Sequence, residues 1–463
     1  MRYPLRGFLW VFACAALPTG VPAADLIVEP AHVLDGDPIS IRIVGAPPGA
    51  LATVHAQSVK ISGSGTRRAF YGHATYRVGE DGSVDLERAL ALSGSYVGRD
   101  IHGLFWSQEP ALDGTAPAAL PALADPRTLA PDQIVLTLQI GGRVEARKVL
   151  TLDPAAANVT REEVRASGLV GAIYTQAGAR KRPTVIILHG AEGGLGYADW
   201  LGPKLASRGY TVFGLVYFSP ASEPIKDVPA ALNLIPVEDL QRAYDYVATR
   251  PEADTGRIGL VGASKGGEFA LLGASTYPWI DAVAAFVPSA LVTQGFAYGA
   301  GETDMSSSWS VKGHALPFLP QTGMKEIIAK YRVPGGEVHL ARVRERAMRS
   351  ASPKLIAAAT IPVERSHAAF LLVGGGDDQT GASGESVARV ARRLKRHGYA
   401  RTVEALIYPG AGHLIVDTGW RPTTTHNSGP SQDGGNAEAD AHAQADSWTR
   451  MLDFLARTLH PNP

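Results

Sequence analysis

One short stretch, GLVGASKGGEFALLGAS at residues 259–275, constrains the fold of this chain more than any other. It joins an apolar, strand-like run to a helical pattern through the turn G-A-S-K-G, in which Ser264 lies between Gly262 and Gly266. G-x-S-x-G at a strand-to-helix turn is typical of a nucleophile elbow, where the turn is too tight for a side chain at the two glycine positions that flank the serine two residues away. The helix that follows stabilises negative charge at its N-terminus. The stretch therefore predicts that Ser264 is an exposed nucleophile at the carboxyl edge of a sheet.

The residues around this turn alternate between fully apolar runs and helical patterns from about Ala155 onward. The strand-like runs are PTVIILHG, YTVFGLVYF, RIGLVGAS, AVAAFVPS, FLLVGGGDD and VEALIYPG. Continuous apolar strands separated by amphipathic helices indicate a parallel sheet that is covered on both faces. With the elbow, this pattern predicts an α/β-hydrolase fold for residues 154–463. A lid-like insertion at about 289–365 interrupts the alternation, where a substrate pocket is expected.

The first half of the chain has a different texture. Residues 25–153 contain short alternating runs such as DLIVEP, DPISIRIVG and ALATVHAQSV, broken by Gly, Pro and Asp. Strand-length pieces with turn signals predict an all-β, immunoglobulin-like sandwich domain. The Ala- and Pro-rich stretch at 111–131 is predicted to be an exposed loop. At 463 residues the chain is long enough for two such domains.

Residues 1–24 have the layout of a secretory signal peptide. Arg2 and Arg6 precede an apolar run and then small residues that end in VPAA, with cleavage expected after Ala23 or Ala24. We therefore expect an exported protein, periplasmic or secreted, with no stable membrane span, because no later run reaches about 20 apolar residues. The single cysteine, Cys14, lies in this leader. The mature chain would then have neither disulfides nor thiol catalysis.

Composition excludes some classes of function. Lys+Arg and Asp+Glu both number 44, so the formal net charge is +0, and no basic surplus suggests a nucleic-acid partner. No H-E-x-x-H pattern or His/Asp cluster suggests a metal, and Gly374–Gly376 lacks the G-K-[ST] ending of a phosphate-binding loop. We expect no cofactor.

A serine hydroxyl needs a base, and the chain supplies one at the expected place. Asp377 and Asp378 follow the apolar run of VGGGDD, and His413 follows the next run in YPGAGH. The order serine, acid, histidine on successive strand ends is that of an α/β-hydrolase triad. Taken alone, the aspartates could instead cap the next helix, and His413 could be a histidine of a surface loop. The three together favour the catalytic interpretation.

The loop HGAEGG after the first long parallel strand is where an oxyanion hole belongs. The backbone N–H groups of Ala191 and Lys265 are its predicted donors. His189 in this loop is interpreted as a loop-shaping residue rather than a base. His367, His397, His426 and His442 are interpreted as surface histidines.

At this point the motifs resemble a known family. G-A-S-K-G-G-E is similar to the G-x-[SC]-K-G-x-E nucleophile motif of the acyl-CoA thioesterase and bile acid-CoA:amino acid N-acyltransferase family. IPVERSHAAFLLVGGGDDQ and YPGAGHLI resemble the catalytic domain of that family, and GSYVGRDIHGLFWSQEP at 94–110 resembles a motif of its β-sandwich domain. The resemblance covers nearly all of the mature chain, and the GLFWS block has no reason to accompany a generic esterase.

The resemblance implies a triad of Ser264, Asp378 and His413, with Asp377 as the fallback acid. It also implies an acyl thioester as substrate. Three departures matter. The relatives that conjugate acyl groups to amino acids use cysteine where this chain has Ser264, which favours hydrolysis over transfer. The leader suggests a site of action outside the cytosol. Acyl-CoA is mainly a cytosolic metabolite, so an exported member would act on another thioester or on an oxygen ester. DDQTGAS also lacks the tryptophan that is common after the paired acids.

The sequence therefore predicts a serine acyl hydrolase of acyl-CoA thioesterase type, acting on a small-molecule thioester or ester. The alternatives are an exported carboxylesterase, an acyl transferase to an amine, and a non-catalytic binding protein on a hydrolase scaffold. Oligomeric state is not predicted. The Lys265 side chain is expected to face solvent at the start of its helix, although a second role beside the elbow is open. Trp106 is expected to pack within the sandwich or between domains rather than to contact substrate.

Overall fold

The computed structural model describes residues 23–61, 67–111, 131–166, 168–178, 180–220, 223–297, 306–323, 329–330, 333 and 336–460. The predicted signal peptide lies outside the described residues except for its last two positions. The loop predicted at 111–131 lies outside them except at its two ends.

The described part of the chain forms strands first and then alternating strands and helices. The strands are β1 (Asp25–Glu29), β2 (His32–Leu34), β3 (Ser40–Val44), β4 (Leu51–Ile61), β5 (Arg67–Arg77), β6 (Val84–Asp85), β7 (Ser93–Gly94), β8 (Glu109–Pro110), β9 (Asp132–Ile140), β10 (Arg143–Asp153), β11 (Val159–Ala166), β12 (Leu169–Gln176), β13 (Arg182–Leu188), β14 (Thr211–Val216), β15 (Ile235–Pro236), β16 (Ala253–Ala263), β17 (Ala282–Phe286), β18 (Trp309–Val311), β19 (His314–Ala315), β20 (Ala369–Gly375) and β21 (Val403–Tyr408). The helices are α1 (Gly103–Trp106), α2 (Gly196–Ser207), α3 (Glu238–Ala248), α4 (Lys265–Ala274), α5 (Leu340–Ser350), α6 (Pro353–Ala359), α7 (Ser383–Arg396) and α8 (Ala437–Leu459).

The N-terminal part is a β-sandwich. One sheet has the order β1-β3-β6, and the other has the order β2-β10-β9-β4-β5-β7, with β8 beside β5. Alternate residues point inward, as in β3, where Ile41 and Ile43 are buried and Arg42 is exposed. They pack with Val54 and Leu136 of the facing sheet in one apolar core.

The C-terminal part has the predicted α/β-hydrolase architecture. Its sheet has the order β11-β12-β14-β13-β16-β17-β20-β21, and every adjacent pair from β14 to β21 is parallel. In β13, Val185 and Ile187 face one apolar layer while Ile186 and Leu188 face the other, which explains the continuous apolar run. The antiparallel hairpin of β11 and β12 at one edge was not predicted. The predicted boundary at 153/154 falls between the two parts.

The parallel strands deliver all the predicted site residues to one edge. β16 ends at Ala263, immediately before Ser264, and β13 leads into the HGAEGG loop. β20 leads to the paired aspartates, and β21 leads to the loop that carries His413. Carboxyl ends of parallel strands are where α/β proteins bind ligands.

The long loop between β21 and α8 also contacts the sandwich. Trp420 of this loop joins the sandwich core, with its ring 4.1 Å from His102 and edge-on to Phe105 at 5.0 Å. In the GLFWS block, Trp106 Nε1 donates to Asp100 at 2.7 Å, and Asp100 also bonds His442 of α8 at 2.8 Å. The block therefore contributes to the contact between the two parts, as expected for Trp106. His442 is a surface histidine, as interpreted, and it also bonds the sandwich through Asp100.

A buried ion cluster holds the same contact. The carboxylate of Asp35 accepts from Arg421 Nη2 at 2.6 Å and from Thr418 Oγ1 at 2.8 Å, and it lies 3.2 Å from Lys204 Nζ. Burial opposes ionisation of Asp35, but the charges of Arg421 and Lys204 hold its pKa well below the usual range. Asp35 of the sandwich thus contacts two cations of the hydrolase part, and Arg421 is also paired with Asp132 at 2.7 Å and with Asp417 at 2.9 Å.

Asp35→Asn is expected to lower the free energy of unfolding by about 3–5 kcal/mol, because it removes the anion between two buried cations. Urea unfolding of the full chain measures this. The matched control is Asp37→Asn, since Asp37 is 40% exposed and pairs with Arg208 at the rim. That variant should change stability by less than about 1 kcal/mol. Equal losses in the two variants would show that the buried cluster contributes no more to the free energy of unfolding than the pair of Asp37 and Arg208 does.

Candidate active site

Ser264 occupies a strained turn between β16 and α4. Its backbone has φ 54° and ψ −114°, a conformation that non-glycine residues rarely adopt. The amide of Ser264 donates to the Phe286 carbonyl at 2.9 Å, which ties the turn to the next strand. A Cβ atom on Gly262 would collide with the Gly266 carbonyl, and one on Gly266 would collide with the Leu188 carbonyl. The glycines are therefore required by close backbone approach, as the motif predicts.

The three residues of the predicted triad form a hydrogen-bonded series. Ser264 Oγ lies 3.1 Å from His413 Nε2, and His413 Nδ1 lies 2.8 Å from Asp378 Oδ2. His413 and Asp378 are buried, being 8% and 5% exposed. An imidazole between a serine hydroxyl and a carboxylate can accept the hydroxyl proton and then return it to a leaving group.

Asp378, rather than Asp377, contacts the imidazole. The second oxygen of Asp378 accepts the backbone amides of Thr380 at 2.9 Å and Gly381 at 2.6 Å, which fixes its rotamer. Asp377 turns outward, where it accepts from Gln379 and from the Gly435 amide. The two neighbouring acids thus differ in orientation.

The surroundings of Asp378 and His413 favour the charged form of each side chain. Burial disfavours ionised Asp378, but the His413 charge and hydrogen bond and the Gly381 amide outweigh it and hold the Asp378 pKa well below the usual range. Burial likewise disfavours protonated His413, but Asp378 and then Asp433 raise the pKa of His413 above its usual value. The charge of Arg344 opposes that rise.

The HGAEGG loop packs directly against the serine. A Cβ atom on Gly190 would lie 3.3 Å from Ser264 Cβ. The Gly190 amide donates to Glu192 Oε1 at 2.8 Å, whereas the amides of Ala191 and Lys265 donate to no other residue in the described ranges. These two free N–H groups are the ones that the sequence predicts as oxyanion donors.

His189, in the same loop, is a packing residue. Its ring is buried and stacked on Tyr217 at 3.9 Å, and Nδ1 lies 2.9 Å from the Gly190 carbonyl. Burial lowers the pKa of His189 to about 4, so the ring is neutral at physiological pH. This agrees with the interpretation of His189 as a loop-shaping residue.

Glu192 is a feature of the site that sequence reasoning missed. Desolvation of the Glu192 carboxyl by the surrounding protein raises its pKa, and the charge of His413 acts in the opposite direction. The signal was present in the sequence, since an acidic residue lies in the loop predicted to adjoin the nucleophile. Its contact with the Gly190 amide explains why that amide is not free.

The Lys265 side chain does not face solvent, and the expectation that it would is wrong. It is buried, and its Nζ lies 3.2 Å from Glu268 Oε2, 2.6 Å from Ser308 Oγ and close to Thr293 Oγ1. Glu268 in turn accepts from the Thr293 amide at 3.0 Å and from Trp309 Nε1 at 2.8 Å. Burial lowers the pKa of Lys265 to about 8. Glu268 belongs to α4, but Thr293, Ser308 and Trp309 belong to the insertion, so the side chain is enclosed largely by residues distant in sequence.

The loop that carries His413 has its own buried support. Asp440 of α8 accepts the Gly412 amide at 2.7 Å and pairs with His426 Nδ1 at 2.7 Å. The His413 amide donates to the Asp433 carbonyl at 3.0 Å. His426 is therefore a partly buried structural residue, and the interpretation of it as a surface histidine is wrong.

Across the described ranges, no group of three or more His, Cys, Asp or Glu side chains is arranged to hold a metal ion. Among the same residues, no helix combines the length and the apolar composition that crossing a bilayer requires.

Lys265→Met is expected to lower the free energy of unfolding by about 3–5 kcal/mol, because it leaves the Glu268 carboxylate buried without a counter-charge. Urea unfolding measures the loss. Lys265→Met with Glu268→Gln should be more stable than the single variant. An exposed pair of the same kind, Arg450 with Asp446, supplies the control, since Arg450→Met should change stability by less than about 1 kcal/mol. A double variant no more stable than Lys265→Met would contradict this account.

Two sequence profiles of one family match this chain. The profile described as BAAT / Acyl-CoA thioester hydrolase C terminal matches residues 235–461, and the Acyl-CoA thioester hydrolase/BAAT N-terminal region matches residues 36–166. The profile of the Dienelactone hydrolase family matches residues 169–300.

Individual relatives align along nearly the whole chain. Human acyl-coenzyme A thioesterase 1 is 29% identical over 94% of this chain and 97% of its own length. Mouse acyl-coenzyme A amino acid N-acyltransferase 1 is 28% identical over 94% and 97%, and human bile acid-CoA:amino acid N-acyltransferase is 28% identical over 95% and 98%. With profiles matching both halves in the expected order, this protein belongs to the acyl-CoA thioesterase and bile acid-CoA:amino acid N-acyltransferase family.

Proposed function

We propose that this enzyme is a serine hydrolase that cleaves an acyl thioester, with acyl-CoA as the reference substrate, through an acyl-serine intermediate. The observation that carries the proposal is the unbroken series from Ser264 through His413 to Asp378, at 3.1 Å and 2.8 Å. The family supplies the substrate class, since its relatives include acyl-coenzyme A thioesterases.

In the first half-reaction, Ser264 Oγ attacks the thioester carbonyl carbon while His413 Nε2 takes the hydroxyl proton. The carbonyl oxygen becomes an oxyanion, and its donors are the free amide of Lys265, which follows Ser264, and that of Ala191, which follows the Gly190 packed on the serine. The C–S bond then breaks, and the leaving thiolate takes the proton from His413. Asp378 stabilises the imidazolium in between and holds the tautomer that leaves Nε2 free.

In the second half-reaction, water attacks the acyl-serine ester and gives its proton to His413. Collapse of the tetrahedral intermediate returns that proton to Ser264 Oγ and releases the fatty acid. An amine in place of water would give transfer instead. We favour water because the proposed nucleophile is serine, whereas the family resemblance implies cysteine at this position in members that conjugate acyl groups.

We further propose that the mature enzyme acts outside the cytoplasm, because Arg2, Arg6 and the following apolar run form a secretory leader. Mass spectrometry of the protein from its native host tests this point. A mature N-terminus near Ala24 or Asp25 would support export, and an intact Met1 would contradict it.

Ser264→Ala is expected to reduce acyl-CoA hydrolysis by at least about 10³-fold, because no other group forms the acyl-enzyme. Free thiol and fatty acid are quantified for a series of acyl-CoAs and simple oxygen esters, with and without glycine or taurine. Ser275→Ala, at the other end of α4, is the control and should retain activity. Hydrolysis that survives in Ser264→Ala would contradict the mechanism, and acyl-glycine or acyl-taurine as the main product would favour transfer.

Asp378→Asn is expected to lower kcat by about 10³–10⁴-fold, because an amide no longer holds the His413 tautomer that accepts the serine proton. The matched control is its neighbour, and Asp377→Asn should stay within about threefold of wild type since Asp377 faces away from the imidazole. Steady-state kinetics with one acyl-CoA, alongside thermal unfolding of both variants, measures this. The reverse pattern would assign the acid role to Asp377.

A further inference from the structure

A cavity of about 260 Å³ opens beside the catalytic histidine, between α5 of the insertion and α7. Gly381 and Thr293 both line it. A Cβ atom on Gly381 would lie 3.1 Å from His413 Cε1, and Thr293 contacts the buried Lys265 ammonium. The cavity therefore adjoins the residues that pack on His413 and Lys265, although neither Ser264 nor His413 is among its lining residues.

The lining of this cavity has an apolar part and a charged part, and the charged part contains three arginines and the two carboxylates Glu345 and Glu385. The apolar side chains are those of Leu291, Leu319 and Met348, and the basic ones are those of Arg344, Arg349 and Arg389. Such a lining suits a ligand that is apolar along one portion and negatively charged at another.

The three arginines differ in how their charges are balanced. Arg349 pairs with Glu345 at 3.5 Å, and Arg389 pairs with Glu385 at 3.4 Å. The guanidinium of Arg344 forms no ion pair or hydrogen bond with any other residue in the described ranges, although the residue is half-buried. Arg344 is thus the cation of the cavity that lacks a carboxylate.

The Arg344 charge acts on the catalytic groups. It acts to lower the pKa of His413 and of Lys265, in the same direction as burial and against the carboxylate partners Asp378 and Glu268, which raise them. A partly desolvated guanidinium gains most from a carboxylate or phosphate, which it can bind through two parallel hydrogen bonds. An anion there would also remove the repulsion that Arg344 exerts on protonated His413.

We propose that Arg344 binds an anionic oxygen group of the substrate, a carboxylate or a phosphate, in the cavity beside His413, and so makes the enzyme selective for charged thioesters. The inference rests on the proposed thioesterase function. Two parts of an acyl thioester could carry the anion: a carboxylate at the far end of the acyl chain, or the phosphates of the CoA leaving group.

Four thioesters separate these sources: butanoyl-CoA, succinyl-CoA, and the butanoyl and succinyl thioesters of the uncharged thiol N-acetylcysteamine. Wild type is compared with Arg344→Met, which keeps an apolar side chain of similar length. Arg346→Met is the control, because Arg346 is exposed on the same helix and does not line the cavity. The kcat/KM of each substrate is measured for each protein.

For the substrates whose anion binds Arg344, Arg344→Met should lower kcat/KM by about tenfold to a hundredfold. For butanoyl-N-acetylcysteamine, which carries no anion, the loss should be less than about threefold. A loss with both succinyl thioesters assigns the anion to the acyl carboxylate. A loss with both CoA thioesters assigns it to the leaving-group phosphates. An equal loss for all four substrates, or a loss for none, would overturn the proposal.

A binding measurement separates failure of this inference from failure of the proposed function. Succinyl-CoA and butanoyl-CoA are titrated calorimetrically into Ser264→Ala, with and without Arg344→Met, so that no turnover is needed. At least about tenfold weaker binding of one ligand in the Arg344→Met background supports the anion site, even if wild type hydrolyses none of the thioesters. Unchanged affinity for both ligands would contradict the anion site at Arg344, whether or not the wild-type enzyme hydrolyses the thioesters.

Discussion

The first turn of α4 approaches the end of β13 so closely that only glycine fits at position 266, and the site depends on this contact. It forces the left-handed backbone of Ser264, whose amide is then held by the Phe286 carbonyl of β17. Three neighbouring strand ends are thereby fixed against one another. Backbone contacts, rather than mobile side chains, therefore set the position of Ser264 relative to the HGAEGG loop and its free Ala191 amide.

Much of this arrangement could be predicted from the sequence, because it is encoded locally. The apolar runs predict the parallel strands, and the elbow, the paired acids and His413 each follow such a run, so their meeting at one edge follows from topology. The environment of Lys265 could not be predicted. Its burial depends on Thr293 and Ser308, which no local pattern connects to it. The choice between the two acids likewise depends on a loop conformation, and the resemblance to relatives rather than periodicity indicated Asp378.

The buried pair of Lys265 and Glu268 joins two parts of the molecule that sequence treats separately. Glu268 belongs to the nucleophile helix, whereas its partners Thr293 and Trp309 belong to the insertion. Because the buried Glu268 carboxylate needs the donors of Thr293, Trp309 and Lys265, these contacts hold the insertion in one position against the elbow. The cavity wall that carries Arg344 is part of the same insertion. The insertion therefore contributes both the residues that enclose the Lys265–Glu268 pair and the arginine proposed to bind the substrate anion.

The loop that supplies His413 also provides Trp420 to the core of the sandwich and Arg421 to the Asp35 cluster. The imidazole is consequently located by both halves of the chain, although it belongs to only one of them. A domain exchanged between relatives would need to bring a matching pocket for the tryptophan and a matching carboxylate for the arginine. The β-sandwich therefore helps to position the proposed catalytic histidine from a distance, so that a hydrolase half separated from its sandwich would lack part of the support for His413.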